Sequence, residues 1–335
     1  MTPATTLTRR LLGVEWLTIV YVVITTIMTL CYIDALEHPI QMLALRAVAV
    51  GIIVVANLIA PYLSVRLSLA LRTMPLLALL IWWYPETYDF CSQLPYKDHW
   101  FAATDQQLFG CQPSLLFAEA LPQTLCSEAF NMGYYAYYYM MAAVIIYYLL
   151  RLPDDYNRAT TIFLGSFFVF YLIFEFLPVG GPQYYFQALT DIYSVDVFKL
   201  TGHTAAAAQE LMKINGTTSA VDMFPDIGSY LANHEAAMLP EAKGVFSQLV
   251  ISAQEFGEHP TAAFPSSHVG MSTVSMLLAW RADNRRMFYI LLPFYLLLVA
   301  ATVYIRAHYL IDSIAGLIVA IVLFYIFNRY LPQSV

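Results

Sequence analysis

Eight apolar runs, each close to the length that crosses a lipid bilayer, constrain this chain more than any other feature. They lie near 12–32, 42–62, 67–84, 133–150, 160–179, 265–280, 287–306 and 308–328. A hydrocarbon core takes roughly 20 apolar residues of helix, and only helices or closed barrels satisfy their backbone there. The composition agrees: 60% of the 335 residues are hydrophobic and 12% charged, against about 25% charged in soluble domains. We therefore expect an all-α polytopic membrane protein, a bundle of about eight transmembrane helices. No basic patch or recognised motif points to nucleic acid as a partner.

The first run follows Arg9 and Arg10, as a signal sequence would. It is too long for a secretory core and no small-residue cleavage site follows, so it reads as an uncleaved span. The arginines then set sidedness by the positive-inside rule. With the N-terminus inside, Arg9, Arg10, Arg66, Arg72, Arg151, Arg158, Arg281, Arg285, Arg286 and Arg329 all fall at cytoplasmic ends, ten of the sixteen basic residues. Both termini are expected in the cytoplasm.

Two long polar segments then face outward, near 85–132 and 180–262, and hold Lys97, Lys199, Lys213 and Lys243. The first contains "DQQLFGCQPSLLFAEALPQTL", whose apolar spacing suggests a short interfacial helix. The second is long enough for a small helical cap and carries a formal glycosylation sequon at Asn215. The chain divides into N-terminal transmembrane helices over 1–84, an extracytoplasmic interfacial segment over 85–132, and a transmembrane core over 133–335 that includes the cap 180–262. Cys31 reads as a small core residue. Cys91, Cys111 and Cys126 lie in the first outer segment without metal-ligand spacing. In an oxidising compartment one disulfide is expected, first between Cys91 and Cys111; the alternative is three unpaired thiols.

Titratable groups in a membrane domain are functional suspects by default. His268 opens the sixth run, and His308 lies where the seventh gives way to the eighth, 40 positions on. One span down, the short turn "ADNRR" and one span back bring both histidines to the same outer level. Asp312 follows His308 by four, so on a helix its carboxylate would accept a hydrogen bond from one imidazole nitrogen and leave the other free as nucleophile or base. The surroundings suit an anion. Ser266 and Ser267 stand at a helix start, either as a cap or as hydroxyl and amide donors to phosphate. Arg306 either clamps a phosphoryl group or snorkels to lipid headgroups. In "FLPVGGPQYY", Gly180 and Gly181 either admit a ligand to the backbone or stop a helix, while Gln183, Tyr184 and Tyr185 offer neutral donors. His203, His234 and His259 read as polar surface of the cap; His38 and His99 carry no functional assignment. No metal or other cofactor is called for.

The pairing of Phe264-Pro-Ser-Ser-His268 with His308-Tyr-Leu-Ile-Asp312 resembles the type 2 phosphatidic acid phosphatase superfamily, whose six-helix phosphotransferase core would here carry extra N-terminal spans. The resemblance covers the last four spans and the "GGPQYY" segment. "GGPQYY" replaces the classical basic first motif, Ser267 replaces the glycine of Pro-Ser-Gly-His, and Thr302 takes the place of the third-motif arginine. These departures look more like the branch of inositol phosphorylceramide synthase and, more distantly, sphingomyelin synthase. Gln183 stands where that branch has an arginine, and Arg306 would supply the missing charge.

The resemblance implies transfer of a phospho-headgroup, most simply phosphoinositol, from a glycerophospholipid to ceramide. His308 would be the nucleophile, oriented by Asp312, and His268 the acid and base. The partners implied are a phospholipid donor, a ceramide acceptor and membrane lipids. The same residues would serve a lipid phosphatase. A transporter or lipid-binding protein would need ionisable groups deep in several spans, where only Glu15 and Glu175 are evident. A bacterial inner membrane with a periplasmic site and a Golgi membrane with a luminal site are topologically equivalent; the short chain without long charged tails favours the former. Headgroup and oligomeric state are left open.

Overall fold

The structure, a computed structural model, describes residues 10–193, 237–257 and 259–331. Asn215, His203, His234 and most of the expected cap lie outside the described residues. The described chain is helical and contains no strand.

The first three apolar runs become α1 (Gly13–Cys31), α2 (Pro39–Ile59), and α3 (Val65–Ala78) followed by α4 (Leu80–Cys91). The α3–α4 helix is interrupted at Leu79, between Pro75 and Pro85, each of which lacks the amide a helix interior uses. The outer segment forms α5 (Asp98–Phe109) and α6 (Pro113–Ala120). It is thus two short helices broken at Gly110 and Pro113 rather than one.

The core continues through α7 (Thr124–Tyr135), α8 (Tyr137–Arg151), α9 (Pro153–Phe176), α10 (Pro182–Tyr193), α11 (Val245–Gly257), α12 (Ser267–Arg281), α13 (Arg285–Tyr304) and α14 (Leu310–Tyr330). α9 begins seven residues before the expected run. Pro153 pre-sets its first turn, and Asp154 and Asp155 meet the positive end of the helix dipole.

Among the described residues six helices are long and apolar enough to cross a membrane: α1, α2 with the turn that follows it, α3–α4 taken together, α9, α13 and α14. This is an integral multi-pass architecture. Two of the eight expected spans fall short for different reasons. The run at 133–150 belongs to α7 and α8, which break at Ala136. α12 has 15 residues, about 22 Å, and three hydroxyls inside it. Ser272, Thr273 and Ser275 return hydrogen bonds to the carbonyls of His268, Val269 and Met271. This helix can be short and polar because α8, α9, α13 and α14 enclose it. α9 is the other central element, packed against α1, α3, α4, α8, α12 and α14.

The N-terminal spans hold more charge than the sequence reading allowed. Arg46 of α2 pairs with Glu86 of α4 through two hydrogen bonds of 2.9 and 3.0 Å. Arg72 grips Glu15 at 2.8 and 2.6 Å, and Tyr21 donates to Glu175 at 2.9 Å. All six residues are buried. In a low-dielectric interior each bidentate pairing gives a buried arginine and a buried carboxyl the hydrogen-bond partners that water would otherwise supply.

The cysteine expectations are corrected. Cys31 ends α1 and is exposed, and Cys91, Cys111 and Cys126 are all free thiols. Cys91 is buried at the end of α4 with its Sγ 2.9 Å from Thr261 Oγ1. Cys111 lies past the end of α5, at the turn into α6.

A candidate active site at a histidine pair

The site forms where three loops meet: the one before α10, the one before α12 and the one between α13 and α14. The α12–α13 hairpin returns as its length requires, and the rings of His268 and His308 stand 5.8 Å apart at 61°. His268 is the second residue of α12. Tyr134 and Tyr137 flank its ring, each with its ring centroid 4.5 Å from that of the imidazole. The two tyrosines come from either side of the α7–α8 break, so the interruption of that span places both rings on one histidine.

His308 lies before α14, not within it. Its backbone amide donates to the Thr302 carbonyl at 3.0 Å. Its Nδ1 meets the Ala263 carbonyl at 2.8 Å, a contact that needs the proton on Nδ1 and leaves Nε2 as the lone-pair nitrogen. The shared helical face expected for His308 and Asp312 is therefore absent. Asp312 Oδ2 is 3.8 Å from His308 Nδ1 and instead accepts the Tyr309 amide at 2.9 Å. Asp312 is fully buried, and its Oδ1 has no hydrogen-bond partner among the described residues. The Ala263 carbonyl, rather than the carboxylate, is therefore the group that holds the ring. Burial pulls the His308 imidazole down to about 4, against the opposing effect of the Ala263 carbonyl.

The serines divide their roles. Ser266 is the N-cap of α12, its Oγ accepting from Val269 N at 3.4 Å, and its own amide donates to the Asp312 carbonyl at 3.0 Å. A side chain at Gly316 would meet the Ser266 carbonyl at 2.3 Å, so only glycine lets α14 lie this close to the start of α12. Ser267 faces the cleft, together with His268, His308, Gly180, Gln183 and Tyr184.

Gly180 and Gly181 do not present free amides. They donate to Asp98 of α5, Gly180 N to Oδ2 at 2.9 Å and Gly181 N to Oδ1 at 2.8 Å. Tyr309 adds a third bond to Asp98 Oδ1 at 3.1 Å. Gly181 has φ +98°, and a side chain there would strike the Ala307 carbonyl at 2.6 Å. Its glycine serves a close approach of two loops. Gln183 N donates to the Arg306 carbonyl at 2.9 Å across the same seam. Arg306 itself sits at φ +65°. Its buried guanidinium feels Glu119, and among the described residues that line the cleft there is no arginine.

Two carboxylates that sequence reasoning passed over complete the frame. Asp98 is fully buried, and burial pushes it up to about 6 although three donors favour its charge. Asp105, about two turns further along α5, accepts Leu310 N at 2.8 Å and Ile311 N at 3.0 Å. It caps α14 from outside, as an anion at a helix N-terminus should. α5 therefore clamps the His308 loop from both sides. No local signal in the sequence marks these aspartates, since their partners lie more than 80 positions away.

A buried imidazole whose Nδ1 is held by a carbonyl, facing a second imidazole in a narrow cleft of a membrane bundle, is a candidate for histidine chemistry on a group presented at a membrane. The family follows from the wider match. The profile of the PAP2 superfamily fits residues 99–326, and the chain belongs to that superfamily. The match runs from α5 to near the end of α14, so it includes the outer helix that clamps the site. Membership makes this a lipid enzyme of the phosphatase or phosphotransferase type. Neither the curated proteins nor the solved structures compared contain a match.

Proposed function

We propose that this protein transfers a phospho-headgroup, most simply phosphoinositol, from a glycerophospholipid to the primary hydroxyl of ceramide, with release of diacylglycerol. The observation that carries the reading is the orientation of His308. With its Nδ1 proton given to Ala263 O, Nε2 is the atom offered toward His268 and the cleft.

In the first half-reaction Nε2 of His308 bonds to phosphorus as the P–O bond to diacylglycerol breaks. His268, whose basicity burial lowers in the empty cleft, is protonated beside the bound phosphodiester anion and gives that proton to the departing alkoxide. The phosphorylated imidazole keeps its Nδ1 proton and gains positive character, which the Ala263 carbonyl and the Asp312 carboxylate stabilise. In the second half-reaction, neutral His268 takes the proton of the ceramide hydroxyl, the new P–O bond forms and the P–N bond breaks. Both histidines then return to their starting states.

Transfer is preferred over hydrolysis because of the charge around the cleft. Its described walls offer tyrosines, Gln183 and Ser267 but no arginine. Neutral donors suit a phosphodiester monoanion better than the dianion of a phosphomonoester. The arginine distribution supports an outward-facing site, periplasmic in a bacterial inner membrane or luminal in a Golgi membrane.

The test is an assay of purified protein with labelled phosphatidylinositol and ceramide. Transfer predicts ceramide-dependent formation of inositol phosphorylceramide and diacylglycerol. Release of phosphate or inositol phosphate at the same rate without ceramide would assign the protein to the hydrolases instead.

A further inference from the structure

At the far end of the bundle from the histidines, the last residues of α12 and α14 meet the start of α9 around a second cleft of about 560 Å³. Given 15 helical residues in α12, it lies about 20 Å from His268. Its described walls are Arg158, Arg281, Arg329, Tyr325, Asn328 and Leu331, with no acidic residue among them. The volume falls within the range of ordinary ligand sites, roughly 300–1,000 Å³.

The three guanidiniums are not equivalent. Arg281 is committed to Asp155, with Nη2 2.9 Å from Oδ1 and Nη1 bonded to Oδ2. Arg158 is 7% exposed and uses Nη2 on the Asn328 backbone carbonyl, but its Nε has no hydrogen-bond partner among the described residues. The Asn328 side chain likewise has a buried Oδ1 with no partner. Arg329 is exposed at the rim, and Tyr325 is 62% exposed beside it, an aromatic placed as membrane-interface aromatics are. Arg158 shares the field of Asp155 with Arg281, but a buried cation whose Nε donor is unused is costly until an acceptor completes it. An unused amide oxygen next to it calls for a hydroxyl or amine donor.

We propose that this cleft binds the headgroup of an anionic phospholipid from the membrane leaflet opposite the active site. The phosphodiester sits against Arg158 and Arg329, and a headgroup hydroxyl donates to Asn328 Oδ1. Basic pockets between spans on the positively charged side of a membrane protein are suited to such headgroups. The site is distinct from the histidine cleft and holds no nucleophile, so its occupant is a resident or regulatory lipid rather than a substrate.

The experiment follows the thermal unfolding midpoint of the detergent-purified full chain during titration with phosphatidylglycerol, phosphatidylcholine or inorganic phosphate. Ligand that binds only the folded state raises the midpoint in proportion to ln(1 + [L]/Kd). The expected result is a saturable rise with phosphatidylglycerol, at least tenfold weaker apparent affinity with phosphatidylcholine, and none with millimolar phosphate. Arg329→Gln changes an exposed residue and keeps the fold; it should weaken phosphatidylglycerol several-fold, and Arg158→Gln tenfold or more. Equal responses to the two lipids, an unchanged titration in Arg329→Gln, or a full response to inorganic phosphate would each overturn the proposal.

Discussion

His308 Nδ1 lies 2.8 Å from the carbonyl oxygen of Ala263, while Asp312, the carboxylate four residues on, stands 3.8 Å away with Oδ2 on a backbone amide. The ring is thus held by a backbone carbonyl, with the carboxylate beside it rather than bonded to it. Asp312→Asn keeps the shape and removes the carboxyl group. Turnover should fall, by less than the roughly 10⁴-fold seen where the carboxylate also sets the histidine tautomer, because the Ala263 carbonyl holds the ring. Thermal stability should change by about 1 kcal/mol or less, the scale of a helix cap. A melt and a turnover assay on the same preparation check both; unchanged turnover would leave Asp312 only its capping bond.

His268 is assigned to proton transfer, so its value should depend on the leaving group. His268→Ala is expected to slow transfer from a natural phospholipid by about 10²–10⁴-fold. With an activated aryl phosphodiester, whose leaving group departs without a proton, the first half-reaction should lose far less. Burst kinetics with the aryl substrate measure this. Equal losses on the two substrates would remove His268 from the acid role.

Asp98 links α5 to the Gly180–Gly181 loop and to Tyr309. Its carboxyl is raised by burial from 3.8 to about 6. A carboxyl raised on folding binds more protons in the native state than in the unfolded chain, so its contribution to stability falls as pH rises from about 4 to 6. Asp98→Asn should flatten that part of the profile, seen as the unfolding midpoint against pH for the two proteins. A slope identical in both would mean that Asp98 does not titrate there.

The histidine pair could be read from the chain because span, turn and span have lengths fixed by the bilayer, and 40 residues return to one level whatever the side chains do. The dependence of His308 on Ala263 could not, because a backbone carbonyl has no residue signature. Asp98 and Asp105 were hidden for a related reason: their partners are amides of distant loops, joined only by the packing of α5. Ser266 illustrates a choice that sequence leaves open. Cap and phosphate ligand demand the same residue type, and only the position of its hydroxyl over Val269 N decides. Cys91 illustrates the converse, since burial beside Thr261 depends on contacts 170 positions apart.

The buried Arg46–Glu86 pair ties α2 to α4 outside the family-matched region. Arg46→Met leaves Glu86 buried without its cation and should cost about 3–5 kcal/mol. Arg46→Met with Glu86→Leu should recover most of it. Chemical or thermal unfolding of the single and double variants gives the coupling, and a double variant as unstable as the single would contradict it.

The central claim is a covalent phosphohistidine on His308. Purified protein mixed with phosphatidylinositol labelled in the phosphate, without ceramide, should be quenched within a turnover and digested for mass spectrometry. The account predicts an acid-labile phosphoinositol adduct on the peptide bearing His308, lost on addition of ceramide and absent from His308→Ala. An adduct on His268 instead, or full transfer activity in His308→Ala, would contradict it.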